Sequence, residues 1–209
     1  MLATLIFAGL LQTPQNPDLA FEINAMAMAD QEVRNRIFNK SKNGQASFSK
    51  SEIEEMSSMD HANTQRMKSI VKTYGWPTIA MVGKEASSNA WLLVQHADQE
   101  PKFQAYCLTL LSPLVKSGEI KVTDYAYLFD RVAIAEGRPQ RYGTQAQMGK
   151  TGFFISPVEN PRTVDKIRKA AGMPSLEEYL KVLVGAYGGK IDPNWRAKLA
   201  DRPKKTRKG

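Results

Sequence analysis

Apolar residues recur at helical spacing along most of the chain. From Pro17 to about Lys40, Leu19, Ile23, Met26, Val33 and Ile37 fall three, four or seven residues apart with charges opposite them, which predicts an amphipathic helix. Ser49 and Ser51 are each followed three residues later by a glutamate, Glu52 and Glu54, giving two alternative capping boxes for a second helix. That helix runs to Tyr74 through Ile53, Met56, Met67, Ile70 and Val71, and Gly75 is placed to end it. Trp76-Pro77 starts a new element, and Asn89 to Ala97 reads as a strongly apolar helix. Pro101 suits the first position of a further helix to about Lys116, bent at Pro113. Asp124 to Glu136, Pro161 to Ala171 and Ser175 to Tyr187 complete the helical set, closed by Gly137, Gly172 and Gly188. The glycines and the Phe153-Phe154-Ile155 run predict a loop with a short hairpin between Arg141 and Ser156. The expected fold is mainly α: a compact multi-helix domain over 18–195 with an irregular or β-hairpin insertion around 141–156.

Two of these helices are apolar nearly all round, which marks them as central, and each carries polar residues with no polar face to sit on. In Tyr125 to Ala135 the only charges are Asp130, flanked on the helix by Ala126, Tyr127, Ala133 and Ile134, and Arg131, flanked by Tyr127, Leu128, Ile134 and Ala135. An unpaired charge removed from water costs several kcal/mol, so both need partners. Adjacent helical residues point about 100° apart, so those partners are expected elsewhere than in each other. On the other apolar helix Gln95 neighbours Trp91 and Leu92, and His96 neighbours Leu92 and Leu93. His61, among Ser57, Ser58, Thr64 and Gln65, reads as solvent-facing, whereas Asp60 and Asn63 share a side with Met56 and Met67. Gln140, Tyr142 and Gln145 surround Gly143, where backbone can approach a ligand or a neighbouring helix.

Charge modifies this picture at one end. Of the net +8, the segment 196–209 holds seven cations (Arg196, Lys198, Arg202, Lys204, Lys205, Arg207, Lys208) against Asp201, so the rest of the chain is close to neutral. The segment reads as a basic flexible tail, either solubilising or in weak nonspecific contact with nucleic acid or anionic lipid. No aromatic residue is interleaved with its cations, so the stacking half of a single-strand binding surface is missing. At the other end, residues 1–17 carry no side-chain charge, and Leu2 to Leu11 is a ten-residue apolar run, too short to span a bilayer. It fits a signal-peptide core, which favours a periplasmic or secreted protein over a cytoplasmic one, or an amino-terminal helix packed on the domain.

Composition also removes chemistries. One cysteine, Cys107, excludes an internal disulfide framework and any multi-cysteine metal site, and two histidines argue against a histidine-built metal centre. Cys107 lies in an apolar helix without a neighbouring cation, the setting of an inert core thiol. The methionines Met26, Met28, Met56, Met59 and Met67 read as core filling. The chain has no Gly-rich phosphate loop, no H-E-x-x-H, no G-x-S-x-G and no C-x-x-C. Neither a cofactor nor a metal is expected.

Between Asp60 and Gln145 the blocks Gly75-Trp76-Pro77-Thr78, Ala90-Trp91-Leu92-Leu93 with Gln95-His96-Ala97-Asp98, Phe103-Gln104, Ala126-Tyr127-Leu128 with Asp130-Arg131-Val132, and Gln140 with Tyr142-Gly143-Thr144-Gln145 carry a resemblance. In order and spacing they are similar to a bacterial family known as a domain of unknown function. The resemblance implies no activity; it implies that these polar residues form one motif set. Lys84-Glu85-Ala86 departs from the family pattern, which often has a glycine before the alanine, and implies a local loop change.

Two functional expectations follow. In the first, a site between the 89–97 and 124–136 helices, closed by the 140–145 loop, binds a polar small molecule or peptide or acts on it by hydrolysis or group transfer. His96 is then the catalytic acid/base and Asp130 its orienting or second carboxylate; Arg131 and Gln145 anchor the substrate, and Gln95, Gln140 and Tyr142 complete the ligand-binding set. In the second, the protein is a non-catalytic interaction module whose polar residues form a structural hydrogen-bond network.

Overall fold

The computed structural model describes residues 14–40 and 48–201. Within them the periodic segments form α1 (Pro17–Lys40), α2 (Lys50–Tyr74), α3 (Ile79–Gln95), α4 (Pro101–Ser117) and α5 (Val122–Ala135). A hairpin of β1 (Ala146–Gly149) and β2 (Gly152–Ile155) follows, then α6 (Val164–Ala170), α7 (Leu176–Tyr187) and α8 (Trp195–Lys198). The protein is therefore mainly helical with one small antiparallel hairpin, in which Ala146 faces Ile155 and Gly149 faces Gly152. Among the described residues no helix is long and apolar enough to cross a membrane.

Local chemistry accounts for most boundaries. Of the two alternative capping boxes, Ser49 with Glu52 is the one formed: Ser49 Oγ accepts from the Glu52 N–H and the Glu52 carboxylate accepts from the Ser49 N–H. A second box, Ser175 with Glu178, starts α7. The apolar helix expected from Asn89 begins ten residues earlier, at Ile79, where Thr78 Oγ1 accepts the Met81 N–H at 3.2 Å. Gly83, at φ 81°, breaks its helical geometry, and this hides the first half from a periodicity reading. The chain before α1 docks on that kink: Asn16 N–H donates to Met81 O at 2.8 Å, and a side chain at position 83 would press on Pro14. Near the other end, residues 161–163 form a turn instead of the first turn of α6.

Two large apolar clusters and a minor third are found among the described residues. The larger gathers Ile23, Met67, Ile70, Leu93, Val94, Cys107, Leu111 and Leu128 from α1 to α5. Cys107 has no exposed surface, and burial pushes its thiol up to about 12. The smaller packs Phe153, Ile155 and Val158 against Leu176, Leu180, Trp195 and Leu199. Ala126, Tyr142 and Met173 pack together where α5 meets the 140–145 loop and the segment after α6.

The last element, α8, lies across the start of the basic segment 196–209. Trp195 and Leu199 are buried, the Val158 N–H donates to Leu199 O at 2.9 Å, and Lys198 Nζ lies 2.5 Å from Asp192 Oδ2. A large apolar side chain taken out of water stabilises by about 1.5–3 kcal/mol. Two such anchors hold a one-turn helix in place despite its cations. The basic stretch 202–209 and the apolar run Leu2–Leu11 lie outside the described residues.

Candidate functional site

The expected site residues divide into three groups. Asp130, fully buried in α5, serves the 140–145 loop. Its Oδ1 accepts the N–H groups of Arg141 at 2.8 Å and Tyr142 at 3.1 Å, and its Oδ2 accepts that of Thr144 at 2.9 Å. Burial pushes this carboxyl above its ordinary value, against the downward pull of the three backbone donors. Gln140, also fully buried, braces the same loop: its Nε2 donates to Ser156 O and Gln145 O, and its Oε1 accepts the Gln145 N–H. Tyr142 is buried edge-on against Phe129. Gly143, at φ 67°, sits where a Cβ would lie 2.7 Å from Leu176, so only glycine lets the loop lie this close to α7.

The loop's carbonyls are met from the other side by Arg168 of α6, an arginine with no exposed surface. Its Nη1 donates to Tyr142 O at 2.7 Å and Gly143 O at 3.2 Å, and its Nε to Pro174 O at 2.6 Å. Asp130 and Arg168 thus hold the two polar sides of one piece of backbone, and Asp130 forms no ion pair with His96 or Arg131.

His96 caps the C-terminus of α3, and its carboxylate is Asp30 of α1, not Asp130. Its Nδ1 lies 3.0 Å from Asp30 Oδ2 and 3.2 Å from Oδ1. Asp30 is 1% exposed. It also accepts from Arg34 Nε at 3.2 Å and Gln31 Nε2 at 2.8 Å, and Arg34 Nη2 reaches on to Asp60 Oδ1 of α2. Burial pushes the Asp30 carboxyl up, but the His96 hydrogen bond and the charges of His96 and Arg34 together outweigh it and hold the group below its ordinary value. At Asp60 burial prevails over Arg34 and the carboxyl is raised. His96 and Arg34 both line a cleft of about 370 Å³ between α1, α3 and the end of α7, with Gln31, Asn35, Phe38 and Tyr187. The rings of Phe38 and Tyr187 meet edge-on at 6.1 Å, so the cleft has an aromatic wall beside polar groups.

Asp30, Asp60 and His96 present donor atoms all within 4.8 Å of one another, a set able to hold a divalent cation. An argument that counts only histidines and cysteines passes over such a carboxylate-rich set. Arg34, bonded to both carboxylates, already supplies a positive charge there.

Arg131 is not inside as its apolar neighbours suggested: its side chain is 28% exposed, because Ile134 and Ala135 beside it are themselves exposed. Its Nη1 lies 2.7 and 2.6 Å from the two oxygens of Asp98. Together with Gln104, Ile134, Ala135 and Gln145 they line a second cleft of about 270 Å³. A family model, described as a family of unknown function, DUF6624, matches residues 17–192, which include every residue lining both clefts. The chain belongs to this family. No curated protein and no solved structure matches this DUF6624 chain.

Of the candidates, then, Arg131 and Gln145 share a cleft, His96 lines another, Asp130, Gln140 and Tyr142 build the braced loop, and Gln95 is buried with its Nε2 unpartnered. Sequence reasoning passed over Asp30, Arg34 and Arg168, and met Asp98 only as the end of the Gln95-His96-Ala97-Asp98 block. Asp30 had a visible cue, lying on the buried stripe of α1 between Ala27 and Ile37. Arg168, set among Asp165, Lys166 and Lys169, had none.

Proposed function

We propose that this DUF6624 domain binds a polar small molecule or peptide in the cleft between α1, α3 and the end of α7, and hydrolyses it with His96 as acid/base. The supporting observation is the pairing of His96 Nδ1 with a buried carboxylate at 3.0 Å while the same ring lines an open cleft. Asp30 is held in its ionised form, a pure acceptor, so a hydrogen on His96 Nδ1 donates to it. That leaves Nε2 as the basic nitrogen, with a carboxylate behind it to stabilise the imidazolium. In the step this allows, Nε2 takes a proton from water as the water oxygen bonds to the substrate's acyl carbon. The same proton then goes to the leaving group as the old bond breaks. Asp30 is a positioning residue, and Asp130 is withdrawn from the orienting role expected of it.

The non-catalytic reading, an interaction module with a structural polar network, draws on the other half of the molecule, where Asp130, Gln140 and Arg168 spend their hydrogen bonds internally. One comparison separates the two. Wild-type and His96→Gln proteins are assayed against polar esters, peptide anilides and phosphoesters, with melting temperatures in parallel. Turnover of one class, lost by at least about a hundredfold in the variant at unchanged melting temperature, is the expected result. Turnover equal in the two proteins, or absent from both, overturns the catalytic reading.

A further inference from the structure

The second cleft names a chemistry for the ligand. We propose that Arg131 receives a carboxylate of the bound molecule, and that Asp98 is the internal carboxylate which holds that place until the ligand arrives. This rests on the reading of the protein as a binder of polar small molecules or peptides.

Three features of the pair support an exchange. Both oxygens of Asp98 converge on a single nitrogen, Nη1, so the parallel two-nitrogen fork that makes arginine–carboxylate pairs strong is not used. Arg131 Nε is buried with no hydrogen-bond partner, so the guanidinium has a donor left to satisfy. The two partners are also unequally anchored: the Asp98 side chain is 61% exposed and that of Arg131 28%. Besides Arg131, Asp98 is held by one bond to a neutral amide, Gln104 Nε2 donating to its Oδ1 at 3.2 Å, so Asp98 can swing into water, where a carboxylate is well solvated, while the arginine stays.

The rest of the lining sets the class of anion. Gln104 and Gln145 are neutral amides, and Ile134 and Ala135 are apolar. Among the described residues Arg131 is thus the one cation lining the cleft, which matches a singly charged carboxylate better than a phosphate dianion. Asp98 follows His96 by two residues, so their Cα atoms are at most about 7 Å apart. His96 lines one cleft and Asp98 the other, and a molecule of peptide size with a free carboxylate suits this spacing.

Binding of N-acetylglycine, its neutral amide N-acetylglycinamide and inorganic phosphate to the full chain tests the proposal, followed by NMR of the Arg131 Nε–H. Wild type is expected to bind N-acetylglycine and not the amide. Asp98→Asn, which removes the competitor, is expected to bind it about fivefold more tightly. Arg131→Lys, which keeps the charge and loses the fork, weakens it, and Arg131→Gln abolishes it. Unchanged or weaker binding in Asp98→Asn, equal binding of the neutral amide, or tighter binding of phosphate overturns it. Since Asp98 is largely in water, the Asn variant is expected to fold as wild type. His96→Gln is expected to keep the carboxylate site, so loss of turnover in that variant and loss of binding in the Arg131 variants report on separate claims.

Discussion

Asp30 and Asp130 are both carboxylates shut away from water, and they are satisfied in opposite ways. The oxygens of Asp130 are filled by backbone N–H groups of Arg141, Tyr142 and Thr144, donors that cannot turn away without unmaking the loop. Those of Asp30 are filled by the side chains of His96, Arg34 and Gln31, and all three line a cleft. A buried carboxylate bound to backbone fixes a shape. One bound to a titratable ring at an open cleft sets the direction and tautomer of that ring.

The contrast can be broken at four points. Asp130→Ala leaves three backbone N–H groups, those of Tyr142 and Thr144 buried, without an acceptor and is expected to cost about 5 kcal/mol in urea unfolding. A cost below about 1 kcal/mol would show that the loop holds itself. Arg34→Met strips Asp30 and Asp60 of their shared cation and is expected to cost about 3 kcal/mol. In this variant, added zinc should recover part of the lost melting temperature, because the three donors are already within 4.8 Å. No zinc effect would mean that they cannot converge on an ion. His96→Gln should cost under about 1 kcal/mol, since the amide N–H₂ can still donate to Asp30.

The fourth point is the response to acid, where the two carboxylates differ in sign. The Asp30 carboxyl is lowered in the folded protein, so it stabilises above its unfolded value, and that stability is lost as pH falls through the folded one. The Asp130 carboxyl is raised, so the folded state takes up this proton more readily than the unfolded chain, and acid costs nothing at that site. Carboxyl ¹³C shifts followed down from neutral pH should show Asp130 titrating before Asp30. The reverse order would contradict both assignments of environment.

How much of this was legible depended on range. Capping residues and helix-ending glycines act within a few positions, and they marked α1, α2, α4, α5 and α7 to within two residues or so. Gly83 interrupts α3 with a positive φ, so no period runs through its first half. α8 is one turn long and owes its place to Trp195 and Leu199 packing on a distant hairpin, which a run of cations does not advertise. The site suffered most. His96 was singled out from its apolar surroundings, but its partner Asp30 lies 66 positions away on another helix, beyond the reach of local spacing. Arg131 shows the opposite failure. Apolar helical neighbours imply burial only when they are themselves covered, and Ile134 is 36% exposed.

The enclosed thiol of α4 has a practical consequence. Cys107 is the only cysteine of the chain, it is fully covered, and burial raises it to about 12, so the reactive thiolate is both scarce and unreachable. A thiol reagent can therefore mark the protein only during moments when α4 lifts from its neighbours, and the rate of marking counts those moments. The molecule carries its own clock for the breathing of the larger cluster, read at one atom, without a label having to be introduced.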